Sequence, residues 1–359
     1  MNRSFGVDLV RAVSILIVIF RHYGFMPGFN FGTYAIEFLF VVSGYLIGQI
    51  LIKDFYSTEL VEPSSVKRFM MRRWFRILPL YYLAVFVKFI FHPEVGANLL
   101  YYIFFLQNHF YGISFFPETW SLVIDEWFYL GTPIFLFLFM RFVSSKRLYV
   151  LFYLIGIIVV INILRFVWIS KTNIPFDGLN GNIILHQDTL LIGVILAFIK
   201  SKFTTIFNRF NSKPYFLVAT ILFLMHTYFI KSIRYPIDNI DSYFWVKTFD
   251  FTVCAIIIIA MLPFIENSIM PVKNIKFKLF NKVIVMGSKL SYALYLAHNM
   301  SHDLAGFVLS PVTNNYIIVG IMGIIFSIGI SYLAYQYVEK YFLIIRDKYY
   351  PDQPHLKVI

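Results

Sequence analysis

Runs of about 20 predominantly apolar residues, the length that crosses a hydrocarbon core of ~30 Å, recur ten times along this chain. They fall near 5–25, 33–52, 75–92, 119–140, 148–168, 183–199, 214–230, 246–266, 287–308 and 315–339. Such runs leave few alternatives, because a backbone inside lipid must satisfy its own hydrogen bonds and a single apolar segment does so only as a helix. Of the 359 residues 59% are hydrophobic and 14% charged, where a soluble domain carries about a quarter charged. The predicted class is therefore all-α, a polytopic integral membrane protein with about ten transmembrane helices. The apolar stretch 98–106 is too short to span and is expected at the interface or as a re-entrant piece.

The net charge of +12 raises the question of a nucleic-acid partner, and its distribution argues against one. Lysines and arginines gather in alternate loops: 53–74, 141–147, 200–213 and 267–286 hold most of them. The intervening loops are poor, with Lys171 alone in 169–182 and only Lys231 and Arg234 in 231–245. The positive-inside bias places the rich loops and both termini in the cytoplasm. The first segment lacks a small-residue cleavage site and holds Asp8 and Arg11, so it reads as a retained helix rather than a signal peptide. The single cysteine, Cys254, excludes a disulfide framework within the chain. No repeat or linker divides the sequence. The expected organisation is a transmembrane domain over 1–345 followed by a short cytoplasmic tail, 346–359.

Ionisable residues inside spans are costly and commonly functional. Asp8 and Arg11 are three residues apart and can pair on one helix face. Arg11 and His22, eleven apart, share a face at a separation of roughly 16 Å along the axis. Glu37 opens the second span and would lie near His22 in an antiparallel hairpin, where a carboxylate can orient an imidazole acting as general base. It could equally snorkel to the interface. Arg72, Arg73 and Arg76 stand at the cytoplasmic edge of the third span, suited to phosphate or to anionic lipid. The fourth span opens with Trp120, Asp125, Glu126 and Trp127: the acids could catalyse, bind sugar hydroxyls or only pack against an arginine. His186 and Asp188 open the sixth span, His298 lies in the ninth and Glu339 ends the last.

In order and spacing these segments resemble acyltransferase family 3, membrane proteins that acylate sugars of surface polysaccharides. The resemblance rests on D-x-x-R-x₁₀-H (Asp8, Arg11, His22), FLFVVSGYLIG after Glu37, RRWFRILPLYY, WSLVIDEWFYL and SYALYLAH. It covers nearly the whole chain. The resemblance implies transfer of an acyl group, usually acetyl from cytoplasmic acetyl-CoA, to an acceptor on the outer side. It singles out Arg11 and His22, assigns donor binding to the RRWFR region, and matches Glu126 to the second of two adjacent acids. Two departures stand out: the family pair is commonly Glu-Glu where this chain has Asp125-Glu126, and an Arg commonly stands where this chain has His186. Some relatives carry a fused extracytoplasmic hydrolase-like domain; here one membrane domain is expected to handle donor and acceptor.

The expected catalytic set is thus His22, Arg11, Glu37 and Glu126. Arg72, Arg73, Arg76 and Asp8 are expected at the donor, and Trp120, Asp125, Asp188, His186 and His298 at the acceptor. No metal and no permanently bound cofactor is expected; acetyl-CoA enters as a substrate. The expected partners are the bilayer and a glycan or lipid-linked glycan acceptor, in a bacterial cytoplasmic (inner) membrane. The sequence contains no G-x-S-x-G elbow, and Cys254 has no evident activator, which favours direct transfer. The competing class is a transporter or exporter of a small anion or lipid-linked sugar, which would explain intramembrane Arg, His and acids equally well.

Overall fold

A computed structural model describes residues 4–26, 31–56, 63–109, 115–142, 147–235, 239–268, 275–313 and 315–351. The first helix, α1 (Phe5–His22), starts where the Ser4 hydroxyl accepts from the Val7 amide and donates to the Glu266 carbonyl at 2.7 Å. That one residue caps a helix that would otherwise begin with unsatisfied amides and ties it to a distant one. Next come α2 (Phe31–Tyr56), α3 (Pro63–Phe91), α4 (Leu99–Ile103) and α5 (Trp120–Phe142). Beyond these lie α6 (Arg147–Lys171), α7 (Phe176–Asn180), α8 (Asp188–Lys202), α9 (Thr204–Phe210) and α10 (Lys213–Arg234). The chain closes with α11 (Phe244–Asn267), α12 (Ile275–Leu309), α13 (Tyr316–Ala334) and α14 (Lys340–Tyr349). No strand occurs among the described residues.

A helix occupies each of the ten expected segments. Seven are long and apolar enough to cross a membrane, and eight if α8 and α9, bent by 114° at Phe203, form one span. The remaining two, α1 and α12, fall short because they are polar. α1 carries Asp8, Arg11 and Arg21, and α12 carries Lys289, His298, His302 and Asp303 among others. Of these, Asp8, Arg11 and His298 enter the site below.

Centre and periphery are set by which faces are apolar. α2 is the hub: 67% of its span is buried, against 22% for α10 and for the α13–α14 rod. It packs along α8 backbone to backbone, because a Cβ on Gly44 would lie 2.0 Å from the Leu190 carbonyl oxygen. Likewise, one on Gly193 would lie 2.3 Å from that of Val41. This is the small-residue packing that lipid-embedded helices use. Outer helices turn large apolar side chains outward, such as Phe152, Ile163 and Phe166 on α6 and Ile321, Ile325 and Ile328 on α13.

Several elements differ from the sequence expectation. The sixth span begins at Asp188 rather than 183, because the Asn182 side chain accepts from the Ile184 and Leu185 amides and holds residues 182–187 in a turn. The stretch 98–106 forms the short α4, and its carbonyls are taken up by neighbours: Tyr81 and Tyr82 of α3 donate to Tyr102 and Ile103, and Trp127 of α5 to Phe105. Beyond α13 a π-helical turn, Tyr335–Glu339, carries the chain into α14. That helix runs through the expected 345/346 boundary and docks on α3, where Arg72 donates to the Tyr350 carbonyl and lies 3.3 Å from Asp347. Residues 352–359 of the expected tail lie outside the described residues.

Candidate active site

α1 and α12 lie side by side, and their contact is polar at both ends. At one end the Ser288 hydroxyl donates to Asp8 at 2.6 Å and Arg11 donates to Ser291 at 3.0 Å. At the other, His22 Nδ1 lies 2.6 Å from His298 Nε2, with the rings 4.8 Å apart and 12° from parallel. His298 Nδ1 in turn faces the Tyr295 carbonyl at 2.7 Å. A carbonyl only accepts, so His298 carries its proton on Nδ1 and offers the lone pair of Nε2. His22 therefore donates through Nδ1, and its Nε2 keeps a lone pair. The tautomers follow from the bonds rather than from visible protons. Tyr23 secures the pair by donating to the His298 carbonyl at 2.6 Å and meeting Ser327 Oγ at 2.7 Å.

The His22 ring lines a cavity of about 580 Å³ together with Arg21, Thr33, Asn108, Trp120 and Asp177. Its rim is made by short loops that Asn108 joins, donating to the carbonyls of Trp120 and Gly181 at 2.8 Å each. A second cavity of about 300 Å³ holds Arg11, Arg73, Arg76, Asp125, Glu126 and Tyr129. Ile36 lines both. In the second cavity Tyr129 meets Ser43 Oγ at 2.5 Å and lies under the Arg73 guanidinium, 5.3 Å from ring centroid to Cζ. Asp125 Oδ1 and Glu126 Oε1 are buried there without a hydrogen-bond partner.

The sequence-based site residues separate accordingly. Arg73 and Arg76, expected at the donor, share a cavity with Arg11, expected in the catalytic set, while Arg72 leaves the donor group to hold α14. On an α-helix Arg72 and Arg73 point about 100° apart, so adjacency in sequence sends them to different surfaces. Trp120 shares the cavity of His22. Asp125, expected at the acceptor, and Glu126, expected in the catalytic set, both line the arginine cavity, one to two turns further along α5.

Glu37 is not the partner of His22. Its carboxylate meets His186 Nε2 at 2.9 Å and accepts from Thr189 at 3.0 Å, because α2 packs on α8 and turns that face away from α1. His186 stands behind Trp120, ring centroids 6.3 Å apart, and borders neither cavity. Asp188 lies in a fully buried ion pair with Arg165, 2.7 Å apart, and also accepts from Thr252. Sequence reasoning passed over Arg165, although an arginine within the apolar run of α6 is the kind of signal that should have found it. Its guanidinium also donates to the Leu185 carbonyl at 2.9 Å and the Thr248 carbonyl at 2.7 Å, so it clamps the turn before α8 to α11. Among the described residues no group of three His, Cys, Asp or Glu converges in the manner of a metal site.

A family profile described as an acyltransferase domain, Acyl_transf_3, matches residues 4–336 and so takes in both cavities. The chain belongs to acyltransferase family 3. It is similar to the peptidoglycan O-acetyltransferase OatA of Listeria monocytogenes, with 30% identity over 218 residues, 54% of this chain and 33% of that protein. A putative O-acetyltransferase of Staphylococcus aureus is 27% identical over 358 residues, 93% of this chain and 56% of that protein. The O-acetyltransferase OatA of Staphylococcus aureus is 26% identical over 367 residues, with the same two coverages, 93% and 56%. The chain thus spans between a third and little over half of the length of these relatives. No solved structure matches it.

Proposed function

We propose that this family member is a membrane O-acetyltransferase that carries an acetyl group from acetyl-CoA on the cytoplasmic side to a hydroxyl of a surface glycan on the outer side. The O-acetyltransferase names of its relatives support acetyl as the group and oxygen as the acceptor atom. The observation that carries the reading is the pair of cavities that share Ile36 as a lining residue, arginines on one and His22 on the other. The membrane is the bacterial cytoplasmic membrane, and ten spans with both termini inside make α1 and α12 the two polar helices through its middle. In that orientation the arginine cavity opens toward the donor and the His22 cavity toward the acceptor.

Arg11, Arg73 and Arg76 take the phosphates of the donor, for which guanidinium forks are suited. Arg11 and His22 are roughly 16 Å apart along α1, a distance that the extended pantetheine arm of coenzyme A bridges. The thioester then lies past Ile36, beside the base. His22 Nε2 takes the proton of the acceptor hydroxyl while its oxygen attacks the thioester carbonyl. The C–O bond forms, the C–S bond breaks, and the proton passes from His22 to the departing thiolate, so the reaction consumes no external acid. His298 holds the His22 ring in the tautomer this requires. Trp120 offers a face for the sugar. Asp125 and Glu126 position Arg73 and the donor.

Radiolabelled acetyl-CoA supplied to inside-out membrane vesicles tests the proposal. Label is expected in surface glycan, and removal of the base in His22→Ala should lower transfer by about 10²–10⁴-fold. Undiminished glycan acetylation by that variant, or uptake of unmodified solute in place of transfer, would refute the enzyme reading.

A further inference from the structure

Arg21 stands next to the base and, among the described residues, has no counter-ion. It lines the same cavity as His22, and their Cα atoms, as chain neighbours, are about 3.8 Å apart. Among the described residues its guanidinium makes no hydrogen bond or ion pair. The acid that shares the cavity, Asp177, is already engaged by Arg234 from α10. The Arg21 stem runs over Gly32, where a Cβ would come within 3.1 Å of its Cγ. A basic residue in the last turn of α1 gains from the helix dipole, but that gain does not require the side chain to line a cavity. In the proposed orientation, moreover, Arg21 sits at the outer end of α1, where the positive-inside bias gives no reason for an arginine.

We propose that Arg21 is an anion subsite in the acceptor cavity, so that the acceptor glycan carries a carboxylate or phosphate within about one sugar residue of the hydroxyl that is acylated. The inference rests on the reading of this cavity as the acceptor site. A guanidinium in a half-enclosed pocket binds such groups through paired, charge-assisted hydrogen bonds. His22 needs its lone pair free for the hydroxyl, and Arg21 leaves it so by taking the anion itself.

Binding and transfer separate the two claims. The purified chain in detergent, without added lipid or donor, is titrated with glucuronate, glucose 6-phosphate and glucose, and occupancy is read from the unfolding midpoint. The wild type is expected to bind at least one anionic sugar about tenfold more tightly than glucose, a ratio set by one charge-assisted contact. Arg21→Gln should bring the ratio to about one, and Arg21→Lys should keep part of it because the charge remains. Equal affinity for all three sugars in the wild type, or a preference that survives Arg21→Gln, overturns the subsite. So does stabilisation by phosphatidylglycerol vesicles with no response to either anionic sugar, which would assign Arg21 to a lipid headgroup. His22→Ala keeps the binding preference while losing acyl transfer. If the wild type itself transfers nothing, the proposed reaction fails and the Arg21 subsite is still judged by binding alone.

Discussion

His22 owes its tautomer to His298, which owes its own to the Tyr295 carbonyl. Replacing His298 by Leu removes the acceptor for the His22 Nδ1 proton and is expected to lower kcat about 10–100-fold, the cost typical of losing the partner that orients a functional histidine. The KM for acetyl-CoA should change little, because the arginines sit in the other cavity. His298→Gln offers an amide oxygen to the same proton and should recover part of the rate. Steady-state kinetics on membranes with matched protein levels check both. Arg165 calls for a different measurement. Arg165→Met leaves Asp188 charged and buried without its partner, and the expected loss is about 3–5 kcal/mol of stability, read as a lower unfolding midpoint in detergent. The double variant Arg165→Met/Asp188→Leu should regain much of it. His22, Arg11 and Trp120 were legible as residues because charge and large aromatics stand out in apolar runs. The partners of Glu37 and Asp188 were not, since two carboxylates at the same ends of their helices can face any of several neighbours.

Helix existence and approximate length follow from apolar run length, because a lipid-embedded backbone has no other way to satisfy itself. Helix ends are decided by local hydrogen bonding, as Asn182 shows by delaying α8. Which helices touch is a matter of backbone approach. Gly44→Ala would place a Cβ 2.0 Å from the Leu190 carbonyl oxygen, so α2 and α8 must separate and the unfolding midpoint is expected to fall sharply. Gly156→Ala on α6 meets nothing within 4 Å and should be neutral or gain about 0.5–1 kcal/mol. An equal effect of the two substitutions would show that α2 and α8 are not in close contact. The polar helices α1 and α12 make the complementary point. Their charged and polar residues set them apart from the seven helices that are long and apolar enough to cross a membrane, yet they hold the histidine pair that the proposed chemistry needs.

For the whole molecule, the charge bias predicts sides and the proposed function predicts a route, and each can be measured. Cys254 is fully buried, so single cysteines placed elsewhere report cleanly. Lys171→Cys should react with an impermeant maleimide on intact spheroplasts, and Arg209→Cys only after the membrane is opened. The reverse pattern would invert the proposed topology. Ile36→Trp puts bulk at the residue that lines both cavities and is expected to abolish transfer while acetyl-CoA binding, followed by equilibrium dialysis, persists. Persistent transfer would mean that the acyl group takes another path. Run length and charge order, which the chain carries by itself, determined the helical class, the number of apolar segments and the expected sides, because lipid and charge act on each segment separately. Only the tertiary structure decided that His22 leans on His298 rather than Glu37 and that Asp125 and Glu126 face the arginines. It also decided that Arg72 leaves them for α14. Those choices depend on how each helix is rotated about its axis, and rotation is set by packing against neighbours such as the α2–α8 contact at Gly44 and Gly193.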